Sequence, residues 1–256
     1  MALFGSRSRR GGKPRIVPLG DGALLAEFSN EVDLEVNARI QRVAAAIRAR
    51  RLPWIRDVVP AIGALAVHFD PAAIARLEPK AADARLGRAR EEVRALIEAC
   101  LGGARDKDTA AVEVVELPVC YEGELAPDID AVAESTGLTT EEVIRRHAAS
   151  EHRVLMVGFA PGHPYIGGLD PKLAVPRRAT PRTRVPEGSI AIANAQSVVY
   201  PFTISGGWSL IGRTPVKVFD ARRSPPALFS PGQRVRFMPV SRAEFNRLRK
   251  QDEGAP

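Results

Sequence analysis

Residues 158–186 read GFAPGHPYIGGLDPKLAVPRRATPRTRVP, with six prolines, four glycines and four arginines. Proline fixes φ and lacks an N–H donor, and glycine opens backbone conformations closed to other residues, so this stretch is neither a long helix nor a central strand. Apolar side chains such as Phe159, Tyr165 and Leu169 distinguish it from a solvated linker. The pattern predicts a long ordered loop, either shaped for a function or crossing a β-barrel as a structural segment.

A second glycine-rich cluster follows one short strand-like run, Gly188 to Ala193. It contains Gln196, Tyr200, the run Ser205-Gly-Gly-Trp208 and the run Ile211-Gly-Arg-Thr-Pro215. We expect two such loops, separated by one strand, to face each other across a cleft. Arginine in both loops indicates carboxylate or phosphate recognition, because the planar guanidinium donates hydrogen bonds in pairs.

These two loops carry a family resemblance. The matching residues are Gly158 to Gly162, Pro164-Tyr165, Gly167 to Pro171, Pro176 to Arg178, Pro181 to Thr183, Val185-Pro186, Gly188-Ser189, Tyr200-Pro201, Gly206 to Trp208 and Ile211 to Pro215. The chain thereby resembles the family called allophanate hydrolase subunit 1, or KipI-like, from about Pro14 to about Val240. It departs from that family at His163, where Phe is usual, and at 194–198, where a Gly-Gly-Gln-Thr-Gly-like run is usual.

The resemblance implies a function. Members of this family are mostly the B subunit of a multi-subunit, ATP-dependent 5-oxoprolinase, which opens 5-oxoproline to glutamate only with its partner subunits. The implied partners are the C subunit, similar to allophanate hydrolase subunit 2, and the LamB/YcsF-like A subunit. The implied cofactor is ATP with Mg²⁺, shared with those partners. Two alternatives stay open: a KipI-like module that inhibits a sensor histidine kinase, and one component of a urea- or allophanate-type amide carboxylase-hydrolase.

If the chain is such an enzyme subunit, the chemistry of the residues in the two loops gives candidate site residues. Arg177, Arg182 and Arg213 are expected to hold anionic groups, Gln196 and Tyr200 to orient an amide, and Trp208 to wall the pocket. Close backbone approach is expected at Gly162, Gly167, Gly168, Gly206 and Gly207. His163 and Arg182 are the catalytic candidates, although His163 equally fits a packing role. For each arginine the alternative is an internal pair with a carboxylate or carbonyl.

Composition sets further bounds. The chain has 256 residues, 45% hydrophobic and 26% charged, which suits a globular protein with a sizeable core. No apolar run is long enough to cross a bilayer, and no signal-peptide pattern follows the basic N-terminus. The two cysteines, Cys100 and Cys120, form no Cys-x-x-Cys pair. We therefore expect a cytoplasmic protein without a structural metal site or a membrane partner.

Periodicity predicts two domains. Residues 1–13 read as a basic disordered tail, 14–108 as a small α+β domain of the split βαβ, ferredoxin-like kind, and 109–245 as a mainly-β barrel, with a frayed tail at 246–256. The barrel is cyclophilin-like by resemblance alone. In the first domain, an apolar stripe from Val36 to Ile47 predicts a helix, capped at Asn30.

Residues 128–148 predict a helical hairpin, capped at Thr139, within the barrel domain. It reads either as a helix-turn-helix or as a decoration of the barrel. The acidic start of its second helix, Thr140-Glu-Glu142, repels phosphate, so we favour the decoration and expect no nucleic acid. His147 and His152 lie off the helical metal-ligand spacing, which favours capping or pocket lining.

Overall fold

The computed structural model describes residues 12–77, 85–103 and 113–253. The chain divides into two compact units, residues 1–110 and 111–256. Most of the predicted basic tail at 1–13 lies outside the described residues. None of the helices in the described ranges combines the length and the apolar character that a membrane span needs.

The first unit combines an antiparallel sheet with three helices. Its described elements are β1 (Arg15–Pro18), β2 (Ala23–Glu27), α1 (Leu34–Ala49), β3 (Ile55–Pro60), β4 (Ala64–Phe69), α2 (Pro71–Leu77) and α3 (Arg85–Gly103). One apolar core joins the sheet to α1 and α3 through residues such as Leu24, Ile40, Leu65 and Ile97, all fully buried.

The strand order in this sheet is β1-β2-β4-β3. Helix α1 connects β2 to β3, and β4 lies between these two strands in antiparallel pairing with both. The ferredoxin-like pattern predicted for this domain is not confirmed as a whole. The fourth strand of the sheet is β1, which comes first in the sequence of this unit. The strand that follows α3 (Val114–Val119) pairs instead with a strand of the second unit (Arg234–Pro239).

Helix α1 follows the predicted apolar stripe. Val36, Ile40, Val43, Ala44 and Ile47 are buried on one face, which confirms the stripe. The predicted cap at Asn30 is wrong: the Asp33 carboxylate accepts hydrogen bonds from the backbone N–H groups of residues 35 and 36. Asp33 stands at the residue before the helix, where a side-chain acceptor satisfies the otherwise unpaired amides.

The second unit is built on a barrel-like sheet. Its described strands and helices are β5 (Val114–Val119), α4 (Ile129–Thr136), α5 (Thr140–Ala149), β6 (His152–Val157), β7 (Pro164–Gly167), β8 (Arg182–Val185), β9 (Ser189–Ala193), β10 (Gln196–Val199), β11 (Ile204–Gly206), β12 (Ser209–Arg213), β13 (Arg234–Pro239) and α6 (Arg242–Glu253). Seven of these strands form one sheet in the order β12-β9-β10-β7-β6-β13-β5.

The two edges of this sheet meet. Immediately after β5, Cys120 exchanges two backbone hydrogen bonds of 2.9 Å with Arg213 at the end of β12. The sheet is therefore a nearly closed barrel, which removes most of the exposed edge. β5 and β13 pair in parallel, whereas the other neighbours in the sheet are antiparallel.

Alternate residues of the strands enter two apolar clusters. Ile190 and Ile192 of β9 join the large cluster that also buries α4 and α5. Ala191 and Ala193 join a second cluster with Tyr200, Trp208 and Leu210. Because successive side chains of a strand point to opposite faces, the two clusters lie on opposite faces of the sheet. The second cluster includes Val185 of β8 and Ile204 of β11, which pair as a separate two-stranded ribbon.

The helical hairpin packs on the barrel, as the decoration interpretation predicts. Val132, Ala133 and Val143 enter the large cluster, and the Thr139 hydroxyl accepts from the N–H of Glu142 at 3.2 Å, which confirms the predicted cap. At the other end of the unit, α6 continues to Glu253 instead of fraying from residue 246.

Candidate functional site

The candidate site lies on the face of the second cluster, where the two glycine-rich loops meet. Tyr165 of β7 pairs with Val198 of β10, and the small side chains of Ala191 and Ala193 occupy the neighbouring strand. Small residues there leave room for large ones on either side. The rings of Tyr165 and Trp208 approach each other edge to face, with centroids 6.1 Å apart.

His163 extends this aromatic group. Its ring lies 5.1 Å from that of Tyr165, 5.3 Å from that of Tyr200 and 5.5 Å from that of Phe159. The side chain is buried, and burial lowers the pKa of His163 to about 4. The imidazole is therefore neutral near pH 7 and packs among the rings, and its Nδ1 has no hydrogen-bond partner among the described residues.

Phe159 adds an exposed ring at the tip of the first loop. Its side chain is 69% exposed, and its backbone has φ +74°, a left-handed value that is uncommon for a bulky residue. Gly162, three residues on, has φ +73°, which lets the loop turn, and an added Cβ there would lie only 2.8 Å from Phe219. The loop thus holds an apolar side chain out of the core.

Arg177 provides the charge beside the aromatic group. Its guanidinium carbon lies 5.5 Å from the centre of the Trp208 ring, within the range of a cation–π contact. The N–H of Arg178 donates to the carbonyl of Gly207 at 2.8 Å, which ties the first loop to the second. Arg177 is exposed, so its guanidinium remains accessible to an anion.

The charge of Arg177 also acts on the two tyrosines. Burial raises the pKa of Tyr200 to about 12, with the neighbouring Tyr165 acting in the same direction and Arg177 opposing it. Burial likewise raises the pKa of Tyr165 against the opposing charge of Arg177. Both phenols are protonated near neutral pH and serve as neutral hydrogen-bonding groups.

Gln196 brings a buried donor to the same face. It is only 8% exposed, and its Nε2 has no hydrogen-bond partner among the described residues. On β10 it shares a face with Val198, and it pairs with Ala193 of β9. A buried amide without a partner costs free energy, so a ligand acceptor at this position would stabilise the site.

Arg182 occupies a different environment. It donates two hydrogen bonds of 2.7 and 2.8 Å to the carboxylate of Asp128, which also accepts from Arg178 and from the N–H of Leu210. Burial raises the pKa of Asp128, but the hydrogen bonds from Arg182 and Leu210 outweigh it and hold this pKa below its usual value. The fork of Arg182 is therefore engaged inside the protein, as the internal-pair alternative describes.

Arg213 lies apart from Arg177 and Trp208. It ends β12, whereas Trp208 precedes that strand, so five residues of extended chain place the two about 16 Å apart. The Nε of Arg213 donates to the carbonyl of Glu187 at 2.7 Å. The structure thus gathers Arg177, Gln196 and the aromatic residues and leaves Arg213 elsewhere.

The candidate glycines approach protein groups. A Cβ at Gly206 would lie 2.1 Å from the Tyr200 hydroxyl, and one at Gly168 would lie 2.1 Å from the carbonyl of Glu151. At Gly207, the nearest group to such a Cβ is Pro181, at 3.5 Å. Gly167 ends β7, opposite Arg153 of β6. Close packing within the loops thus accounts for Gly168 and Gly206.

His147 and His152 belong to the core. Nδ1 of His147 shares a 2.8 Å hydrogen bond with the Tyr121 hydroxyl, and its Nε2 lies 3.2 Å from the hydroxyl of Ser197. His152 donates from Nε2 to the carbonyl of His147 at 2.8 Å. Both histidines are buried, and burial lowers the pKa of each. The described residues contain no group of three or more His, Cys, Asp or Glu side chains placed to hold a metal ion.

Sequence reasoning misses two residues of this region. The sequence pattern places Asp128 only at the start of a helical hairpin, and its partner N–H is 82 residues away at Leu210. No local sequence pattern predicts a contact between residues so far apart. The sequence analysis treats Tyr165 only as an apolar residue of the first loop. In the structure it lies in β7, and the aromatic and β-branched pair Tyr165-Ile166, followed by glycines, is a strand signal.

The comparisons with known proteins agree with this architecture. The model of the family described as carboxyltransferase domain, subdomain C and D, matches residues 14–229. The 5-oxoprolinase B subunit of Bacillus subtilis (strain 168) is 35% identical over 93% of this chain and 97% of its own length. The protein of the same name from Escherichia coli O157:H7 is 36% identical over 89% of this chain and 96% of its own.

The chain belongs to the family of 5-oxoprolinase B subunits. Its fold recurs in longer solved chains. The crystal structure of the protein named TTHA0988 is 35% identical, with a TM-score of 0.69, and the match covers 86% of this chain but 40% of that one. Urea amidolyase of K. lactis, 19% identical, shares the fold with a TM-score of 0.71 over 98% of this chain and 16% of its own. The fold of 5-oxoprolinase B subunits is thus one part of a carboxyltransferase-type architecture.

Proposed function

We propose that this protein is the B subunit of an ATP-dependent 5-oxoprolinase and is active only with its partner subunits. The observation that carries the proposal is identity of 35% to the Bacillus subtilis protein over nearly its whole length. The geometry supports a small amide ligand: the exposed guanidinium of Arg177 lies over the ring of Trp208, which contacts Tyr165, and Gln196 brings an amide donor to the same face of the sheet.

Each group suits one part of 5-oxoproline. The guanidinium of Arg177 pairs with the carboxylate of the substrate. The rings of Trp208 and Tyr165 flank the flat lactam. Nε2 of Gln196, which is enclosed by protein in this structure, donates to the lactam oxygen after the side-chain amide rotates toward the ligand. A donor at that oxygen favours negative charge there, which is where activation of the amide by phosphorylation would place it. ATP supplies the phosphoryl group.

His163 and Arg182 have supporting roles in this proposal. Neutral His163 fixes the rings of Tyr165 and Tyr200. Arg182, together with Asp128, fixes the start of β8 against the N–H of Leu210 in β12. Neither residue is assigned to a bond-making step.

Partner subunits complete the enzyme. Within the candidate site the described groups are donors and neutral rings, and the only carboxylate at its border, Asp128, is occupied by two arginines. Such a set binds and orients an amide, and its only neutral imidazole, His163, is buried with a pKa of about 4, too low for an effective general base near pH 7. We assign the base, and the Mg²⁺ that accompanies ATP, to the C and A subunits, and Phe159 offers those partners an exposed apolar anchor.

The test is 5-oxoproline-dependent ATP hydrolysis by this chain mixed with its candidate A and C partners. We expect turnover with all three proteins, and loss of turnover when any one is omitted. Stable association of the three without turnover on 5-oxoproline, together with turnover on urea or another amide, would replace the substrate. Absence of both association and turnover would contradict the proposal.

A further inference from the structure

A second group of basic side chains lies at the end of β12 remote from Trp208. One pocket there is lined by Arg213, Lys217 and Arg249, with Glu187, Thr214 and Phe245 completing its walls. Three cationic side chains thus accompany one carboxylate. The pocket carries net positive charge without being part of the aromatic site.

Arg213 is fixed within this pocket. Its backbone closes the barrel through two hydrogen bonds with Cys120, and its Nε donates to the carbonyl of Glu187 at 2.7 Å. Burial lowers the pKa of Arg213, and the charge of Arg249 acts in the same direction against the smaller effect of Glu187. The positive charge of Arg213 is therefore only partly compensated by the protein.

Helix α6 brings Arg249 to the same place. Phe245 is buried with Cys120 and Leu125, which docks the helix beside the end of β12. Residues four apart on a helix lie on the same face, so Arg249 projects from the turn that follows Phe245. Arg249 itself is exposed at the rim of the pocket.

We propose that this pocket binds a phosphate-type dianion. Two guanidinium groups and one ammonium group match the oxygens of such an ion, and arginine binds phosphate with paired, charge-assisted hydrogen bonds. Gly188 lets the walls come close, because a Cβ there would lie 2.5 Å from the carbonyl of Thr214. The pocket is separate from the proposed amide site, and the ion is either free phosphate or the terminal part of a nucleotide.

The test is titration of the full chain with inorganic phosphate at constant ionic strength, followed by calorimetry and by thermal unfolding. We expect saturable binding, and about tenfold weaker affinity in Arg249→Gln, since each charge-assisted hydrogen bond contributes on this order. Arg247→Gln is the matched control: it removes the same charge from the same helix at a residue that does not line the pocket and that pairs with Glu244. Lys217→Gln, at the other wall, should also weaken binding.

ATP and ADP, titrated in the same way, identify the source of the ion. Competition between ATP and phosphate, lost in Arg249→Gln, assigns the pocket to the phosphates of a nucleotide; binding of phosphate alone assigns it to the free ion. The proposal is overturned if phosphate does not bind saturably, or if the variants at 247 and 249 weaken binding equally, which would reveal only general attraction of anions. Because the titration contains neither 5-oxoproline nor the partner proteins, its outcome is independent of the amide proposal.

Discussion

The buried carboxylate of Asp128 holds together the segments that flank the candidate site without lining that site. It accepts hydrogen bonds from Arg178, Arg182 and the N–H of Leu210, three groups that lie between 50 and 82 residues away in sequence. Removing one partner of a buried ion pair leaves the others without compensation, which costs more than the pair itself contributes. The arrangement therefore links β8 and β12 through a single side chain.

For Asp128→Asn we expect a loss of about 2–4 kcal/mol in the free energy of unfolding, because two arginines then face a neutral amide. Denaturant unfolding measures it. Asp130→Asn, two residues on in the first turn of α4, is the control, since its exposed carboxylate accepts only from the hydroxyl of Thr140 among the contacts described. Equal, small effects of the two substitutions would show that the network at Asp128 does not hold the fold.

His163 should make stability depend on pH. Its pKa is about 4 in the folded protein, below the usual value of 6.5, because burial disfavours the charged imidazole. The unfolded chain takes up a proton as pH falls through 6.5, while the folded chain does so only near 4. The contribution of His163 to stability is therefore complete above pH 6.5 and declines between 6.5 and 4.

The substitution His163→Phe isolates this effect, and Phe is the residue usual in the family. Between pH 8 and pH 5, wild type should lose about 2 kcal/mol more than the variant, given 1.36 kcal/mol per pKa unit. Urea unfolding at the two pH values measures the difference. His147 and His152 are present in both proteins and cancel. The same pH dependence in both proteins would exclude a buried, neutral His163.

At the scale of elements, local patterns predicted local structure. The stripe from Val36 to Ile47 gave α1, and the hydroxyl of Thr139 gave the start of α5. Pairings between distant segments were not predictable in this way. β5 and β13 are adjacent although about 120 residues separate Glu116 from Arg236, and the pleat of each strand says nothing about its partner.

Substitutions at Gly168 and Gly137 distinguish the energetic cost of a steric clash from the cost of a left-handed backbone. Gly168 has φ +87°, and an added Cβ would lie 2.1 Å from the carbonyl of Glu151, whereas Gly137, at φ +68°, has no heavy atom within 4 Å of such a Cβ. Gly168→Ala should cost at least ~3 kcal/mol and Gly137→Ala about 1 kcal/mol, since the second substitution carries only left-handed strain. Thermal and denaturant unfolding compare them; similar losses would contradict the packing described for the first loop.

For the molecule as a whole, the two glycine-rich loops that carry the family resemblance also form the candidate site. The resemblance and the site depend on the same glycines, aromatic residues and arginines. The sequence analysis grouped Arg177, Arg182, Gln196, Tyr200, Trp208 and Arg213. The structure places Arg177, Gln196, Tyr200 and Trp208 on one face of the barrel and puts Arg182 and Arg213 in other surroundings. The sequence left open an internal pair for Arg182 but did not identify Asp128 as the partner, because 54 residues separate the two in sequence. The sequence shows which residues are charged, whereas the ion-pair partner of each charged residue depends on the folded structure.

In the enzyme we propose, Arg177 binds the carboxylate of 5-oxoproline. The most direct test compares Arg177→Gln with Arg184→Gln, an exposed arginine on β8 that loses the same charge, in 5-oxoproline-dependent ATP hydrolysis by the complex. We expect KM for 5-oxoproline to rise at least ~10-fold in Arg177→Gln, because a charge-assisted hydrogen bond is lost, and to stay unchanged in Arg184→Gln. An Arg177→Gln complex with the KM of wild type would exclude Arg177 as the group that binds the substrate carboxylate.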